Sequence, residues 1–153
     1  TRLRKLEEGQ YDAIILACAG LQRLGLGEVI TETLEPPHWL PASTQGIICL
    51  QCREDDEATR ALLAPLADED TMVVASAERS VAHVLEATCQ VPLAVHAVLE
   101  GDTVKLKAIV SSPDGTRLVE AEGEAPSADA VVLGERVAAE LLEKGAGEII
   151  SNL

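Results

Sequence analysis

Aromatic side chains are almost missing from this chain: Tyr11 and Trp39 are the whole complement, and there is no phenylalanine. Stacking platforms for bases or sugar rings are thereby excluded, because each stacked ring needs an aromatic face beneath it. Positive charge is also scarce, with 12 Lys and Arg against 26 Asp and Glu and a net charge of −14. Recognition of a phosphate backbone needs a basic footprint, so no nucleic-acid partner is expected and the acidity reads as solubility. No apolar run reaches the roughly 18 residues of a membrane span, and no basic start leads into an apolar stretch. The expectation is a cytoplasmic address without a membrane partner. Thr1 is not a methionine and already falls in a helical pattern, which predicts a piece of something longer.

What is present is a large apolar fraction, 47% of 153 residues, enough for one compact domain or two small ones. Four cysteines, Cys18, Cys49, Cys52 and Cys89, read as reduced thiols in the absence of an export signal. Cys49 and Cys52 form a C-x-x-C pair, but "GIICLQCR" reads as a continuous strand, on which residues three apart point to opposite faces. A zinc or redox role for the pair is the weaker reading, and cysteine as a small core hydrophobe the better one. Cys89 lies between a helical run and a strand-like run in "HVLEATCQVPLAV". From its surroundings alone it is a buried filler, a metal ligand or a covalent carrier.

Along the chain, "TRLRKLEEG" predicts a short helix that Gly9 closes in a left-handed conformation. "YDAIILACAG" predicts a strand buried on both faces and ending in a turn at Ala19-Gly20, with "LQRLGL" as at most two helical turns. Helix, buried strand and helix together indicate an α/β arrangement. Pro36, Pro37 and Pro41 mark a connection. The strand "IICLQCR" follows, and then a helix from about Asp56 with Asp55 as N-cap, Leu62, Leu63 and Leu66 inward and Pro65 at its end.

From Asp68 the pattern changes. Val74, Ala77, Val81, Val84 and Leu85 recur at helical spacing. "VPLAVHAVLEG", "TVKLKAIVSS" and "TRLVEAEG" predict strands joined by hairpin turns at "EGD" and "SPDG". The closing helix has Ser127 as N-cap and Val137, Ala138, Leu141 and Leu142 inward. The C-terminal part is expected to be a small α+β unit. Among polar residues, Arg2, Arg23, Arg79 and Gln45 attract attention. Arg23 follows the strand end where open α/β sheets bind ligands, and arginines there can hold carboxylates in bidentate fashion. Taken singly, each arginine is better read as a solvated surface residue.

The stretches "TRLRKLEEGQYDAIILACAGLQRLGL", "LPASTQGIICLQCREDD", "AERS", "LEATCQVPLAV", "SSPDG" and "GAGEII", in this order, resemble the C-terminal half of the porphobilinogen deaminase family, the hydroxymethylbilane synthases. The resemblance implies an α/β fold with a C-terminal α+β domain. Parts of two periplasmic-binding-protein-like α/β domains would be followed by a small three-stranded sheet covered by helices. Residues 1–40 would close domain 2, residues 41–66 return to domain 1, and residues 67–153 form domain 3. It further implies a dipyrromethane cofactor carried covalently by Cys89, with Arg2, Arg23, Ala19, Gln45 and Arg79 as cofactor or substrate contacts. Porphobilinogen and the growing pyrrole chain would be the ligands. The N-terminal half would be the partner supplying the catalytic aspartate, so that no catalytic residue and no metal site is expected in this chain.

The chain departs from the family pattern at Ser43 and Thr44 (P-A-x-G-Q-G is preferred), at Gln51 where glutamate is usual, and at Ala87 and Thr88, which replace two glycines before the cysteine. Those last two changes are expected to shift or stiffen the cofactor loop. A non-catalytic relative that keeps the fold without the cofactor is the alternative, and a thiol or zinc protein using Cys18, Cys49 and Cys52 the third reading.

Overall fold

A computed structural model describes residues 1–153, which form two compact units, Thr1–Glu35 and Pro36–Leu153. The first holds helix α1 (Arg2–Glu7), helix α2 (Cys18–Arg23) and a 3-10 turn at Gly27–Val29. Gly9 takes φ +70°, the left-handed angle that ends the first helix. Residues 11–17, expected as a buried strand, carry no ladder, and Ile15 is 78% exposed. Ala19 and Gly20, expected in a turn, belong instead to the first turn of α2.

The second unit contains α3 (Glu57–Leu63), α4 (Glu69–Val84), strands β1 (Leu93–Glu100), β2 (Thr103–Ser111) and β3 (Leu118–Pro126), then α5 (Ala130–Glu143) and α6 (Ala146–Ser151). The strands make one antiparallel sheet in the order β1-β2-β3. Its register aligns Val95 with Ala108 and Ala121, and Ala97 with Leu106 and Gly123. Because side chains alternate along a strand, Val104, Leu106, Ala108 and Val110 all point to one face. There α4 and α5 cover them with Ala77, Val81, Leu133, Val137 and Leu141, all buried. Gly123 lies beneath α5 because a Cβ there would stand 3.1 Å from Leu133 Cδ1 and 3.0 Å from Arg136 Nη2. The hairpin turns hold Gly101 and Gly115 at φ +62° and +70°. This is the α+β unit expected from the C-terminal pattern.

Local signals moved by a residue or two. Asp56, not Asp55, caps α3, accepting the Thr59 N–H at 3.0 Å. The backbone N–H and then the hydroxyl of Thr59 hold its carboxyl below the ordinary aspartate range. Ser127 does not cap the closing helix: Asp129 stands at that position, and the Ser127 hydroxyl donates to Asp102 in the β1–β2 turn. The closing helix is interrupted at Gly145, φ +99°, and Leu142 points outward.

The strand expected over "IICLQCR" is likewise absent, Ile48 is 86% exposed, and Leu62 and Leu66 are exposed rather than inward. The reason lies in the sheet edges. On β1 the outward N–H groups of Val95 and Ala97 donate to Pro41 O (2.9 Å) and Glu78 Oε1 (2.8 Å). On β3, Arg136 and Lys144 donate to the carbonyls of Glu124 (2.9 Å) and Glu120 (2.8 Å). Backbone groups at both edges thus already have partners, and residues 47–53 pair with neither edge.

Candidate functional site

Cys89 sits where α4 gives way to β1. The helix ends at Leu85, and Glu86 at φ +48° turns the chain out of the helical path while the Ala87 N–H returns to Ala82 O at 2.9 Å. A β-turn follows from Thr88 to Val91, closed by the Val91 N–H to Thr88 O at 3.1 Å, and Cys89 is its first central residue. The Thr88 hydroxyl accepts the Gln90 N–H at 3.4 Å. Cys89 is exposed and in no disulfide. Of the three readings of this thiol, the buried filler is thus removed. The left-handed angle falls on Glu86 and not on Ala87 or Thr88, so the turn forms without glycine at either position.

The other expected site residues are distributed over both units. Ala19 and Arg23 lie one turn apart on α2, and Arg2 starts α1, all three exposed. Arg79 is exposed on α4, and Gln45 is exposed in a turn whose Ala42 N–H donates to its Oε1 at 3.3 Å. The guanidiniums of Arg2, Arg23 and Arg79 make no hydrogen bond or ion pair within the chain. Every other arginine has a protein partner: Arg4 with Glu8, Arg53 with Asp56, Arg60 with Glu54 O, Arg117 with Glu148 and Arg136 with Glu124 O. In so acidic a chain, guanidiniums left free of carboxylates are available to carboxylates from elsewhere.

Sequence reasoning missed Glu78. It is buried at 4% exposure and its carboxylate accepts two backbone N–H groups, from Thr44 at 2.6 Å and from Ala97 at 2.8 Å, with His96 Nδ1 at 4.0 Å. The signal was a glutamate on the same inward stripe as Val74, Ala77, Val81 and Leu85, which needs a partner inside. Thr44 holds φ +57°, unusual for a β-branched residue, at the position where the resembled pattern has glycine.

No three His, Cys, Asp or Glu side chains converge on a point where a metal could sit, and no helix is long and apolar enough to cross a membrane. A cavity of about 610 Å³ lies on the sheet face away from α4 and α5, lined among others by Pro36, Leu40, His96, Val98 and Lys107, and it includes none of the expected site residues.

What the chain displays is an α+β unit with a thiol on an exposed turn, together with exposed arginines that have no protein partner. The comparisons make this specific. The family model described as porphobilinogen deaminase, dipyromethane cofactor binding domain matches residues 1–61, and the one described as porphobilinogen deaminase, C-terminal domain matches residues 72–143. Proteins called porphobilinogen deaminase from two strains of Acidithiobacillus ferrooxidans are 50% identical over all 153 residues, and one from Stenotrophomonas maltophilia is 46% identical over 151. The alignment covers 100% of this chain and 49% of the Acidithiobacillus proteins, and 99% of this chain and 50% of the Stenotrophomonas one. The chain belongs to the porphobilinogen deaminase family, and spans about half the length of these relatives. The segment matched by the model named for the cofactor contains Arg2, Ala19, Arg23 and Gln45, whereas Arg79 and Cys89 fall in the C-terminal match.

Proposed function

We propose that this chain is the C-terminal portion of a cytoplasmic porphobilinogen deaminase. That enzyme joins four porphobilinogen molecules head to tail into hydroxymethylbilane, releasing ammonia, in tetrapyrrole biosynthesis. Residues 1–40 would complete one periplasmic-binding-protein-like α/β domain and residues 41–66 another, with residues 67–153 as the cofactor-carrying domain. The unladdered apolar segments at 11–17 and 47–53 favour this division, since each has the composition of a strand awaiting an edge from the N-terminal half.

The observation that carries the proposal is the exposed thiol of Cys89 at the apex of its turn, in a chain that leaves Arg2, Arg23 and Arg79 unpaired. Joining the Cys89 sulfur to an aminomethyl-pyrrole carbon forms a C–S bond, and the displaced amine leaves as ammonia with the thiol proton. A thiol does this near neutral pH where an unassisted serine hydroxyl does not. The tethered dipyrromethane then supplies the pyrrole end that is extended. Each porphobilinogen brings an acetate and a propionate, which Arg2, Arg23 and Arg79 would bind, with Ala19 and Gln45 lining the site. Managing protons on cationic pyrroles requires a carboxylate, assigned to an aspartate of the N-terminal half.

The test is the intact mass of the chain after reconstitution with its N-terminal half. A gain of two pyrrole units is expected, lost together with all activity in Cys89→Ser and kept in Cys49→Ser and Cys52→Ser. An unmodified but active wild-type chain, or a fully active Cys89→Ser, refutes the assignment. The second reading, a non-catalytic relative, draws only on the departure from the family pattern at Ala87 and Thr88, and predicts an unmodified thiol and no turnover.

A further inference from the structure

Glu78 connects three stretches distant in sequence: the turn that bears Gln45, helix α4, and the edge of β1. One carboxylate oxygen accepts the Thr44 N–H at 2.6 Å and the other the Ala97 N–H at 2.8 Å. Two of the proposed contacts are therefore immediate chain neighbours of the joined residues, Gln45 beside Thr44 and Arg79 beside Glu78. Cys89 lies between the other two anchored elements, after the end of α4 and before the start of β1. The base of the Thr44 turn is held to β1 by the Val95 N–H to Pro41 O at 2.9 Å. Beyond that residue its only other backbone bonds are local, Gln45 N–H to Ala42 O at 3.0 Å and Ile47 N–H to Thr44 O at 3.1 Å, so Glu78 is what ties Thr44 itself to α4 and β1. Thr44 also keeps its strained φ of +57°, which persists only where the surroundings impose it.

We infer that Glu78 is a positioning residue, whose buried carboxylate fixes the Gln45 turn against the helix and strand that flank Cys89. The chemistry is specific to a carboxylate. Both oxygens are acceptors, so two N–H groups arriving from different elements are both satisfied, whereas an amide of the same shape turns an NH₂ toward one of them. The inference rests on the proposed cofactor site, and it adds a residue that touches neither cofactor nor substrate.

Glu78→Gln in the chain reconstituted with its N-terminal half tests it, with two readouts. Amide hydrogen exchange should accelerate at least ten-fold at Thr44 or Ala97, while the amides of α5 stay protected. Loading of two pyrrole units onto Cys89, followed by mass, should slow about ten-fold, and KM for porphobilinogen should rise more than kcat falls. Should Glu78→Gln fail to fold, Glu78→Asp, which keeps the charge but withdraws it by one methylene, serves with the same readouts. Unchanged exchange at both amides refutes the clasp. Faster exchange with unchanged loading and KM refutes its positioning role. A wild-type chain that never gains the two pyrrole units refutes the cofactor site itself, and then the exchange data alone decide whether the clasp exists.

Discussion

Gly134→Ala should destabilise the protein even though it improves helix propensity. Gly134 sits in α5 where that helix packs on α4, and a Cβ built there would lie 2.4 Å from Ala77 O and 2.6 Å from Ser80 Cβ. The first contact is to backbone, so no side-chain rotation relieves it, and α4 must retreat by about 1 Å for the methyl group to fit. That movement strains the hydrogen bond from Ser80 Oγ to Val131 O, now 2.9 Å, and loosens the core that Val81 of α4 shares with Leu133 and Val137 of α5. Forcing an extra methyl into a packed site costs about 1 to 3 kcal/mol or more. Replacing a mid-helix glycine by alanine returns about 1 kcal/mol. Because the clash is with backbone, the cost lies at the upper end of that range, about 2 to 3 kcal/mol, and the balance is a net loss of about 1 to 2 kcal/mol, which for a unit of this size lowers Tm by roughly 4 to 8 °C. Thermal unfolding followed by circular dichroism measures it. Because α4 leads into the Cys89 turn, a 1 Å shift should also slow cofactor loading in the reconstituted enzyme, since misplacements of about that size cost rate out of proportion to stability. A Tm that stays the same or rises would mean that propensity alone governs the position, and the close approach of the two helices would be wrong.

Arg23→Leu should leave folding intact, because the side chain is exposed and has no protein partner, yet reduce tetrapyrrole formation by the reconstituted enzyme. A charged hydrogen bond lost from a ligand is worth about 1.5 to 3 kcal/mol, or roughly ten-fold or more in turnover, and unchanged turnover would leave only a solvated surface residue. The "SSPDG" turn should resist acid. The Ser112 hydroxyl, then the Thr116 N–H and hydroxyl, bring the Asp114 carboxyl from its ordinary 3.8 down to about 2. A depressed folded-state value means that the contribution to stability is fully present above about pH 4 and fades as pH falls toward 2. Carboxyl chemical shifts should show Asp114 titrating near 2 in the native protein, and Asp114→Asn should abolish this acid dependence of the turn. A native titration near 3.8 would show that the turn bonds do not persist in solution.

The sequence by itself determined the elements whose neighbours are close along the chain. The period-two runs of β1, β2 and β3, with glycines at Gly101 and Gly115, define two hairpins, and a hairpin brings its own partner strand. The stripe through Ala77, Val81 and Leu85 likewise oriented α4, because helical periodicity records which face is buried. Motif order also singled out Cys89 and the arginines on which the proposed function rests. Tertiary structure decided the rest. An apolar run such as "AIIL" or "IICL" encodes preference for a sheet interior but cannot supply the edge it needs, and neither run forms a ladder. Ser127 has the composition of a cap but serves the β1–β2 turn instead, because the fold brings Asp102 beside it: its N–H donates to Asp102 O at 2.8 Å and its hydroxyl to the Asp102 carboxylate. The role of Glu78 is the clearest case: its two partners are 34 and 19 residues away, and only the folded backbone brings both N–H groups to a single carboxylate.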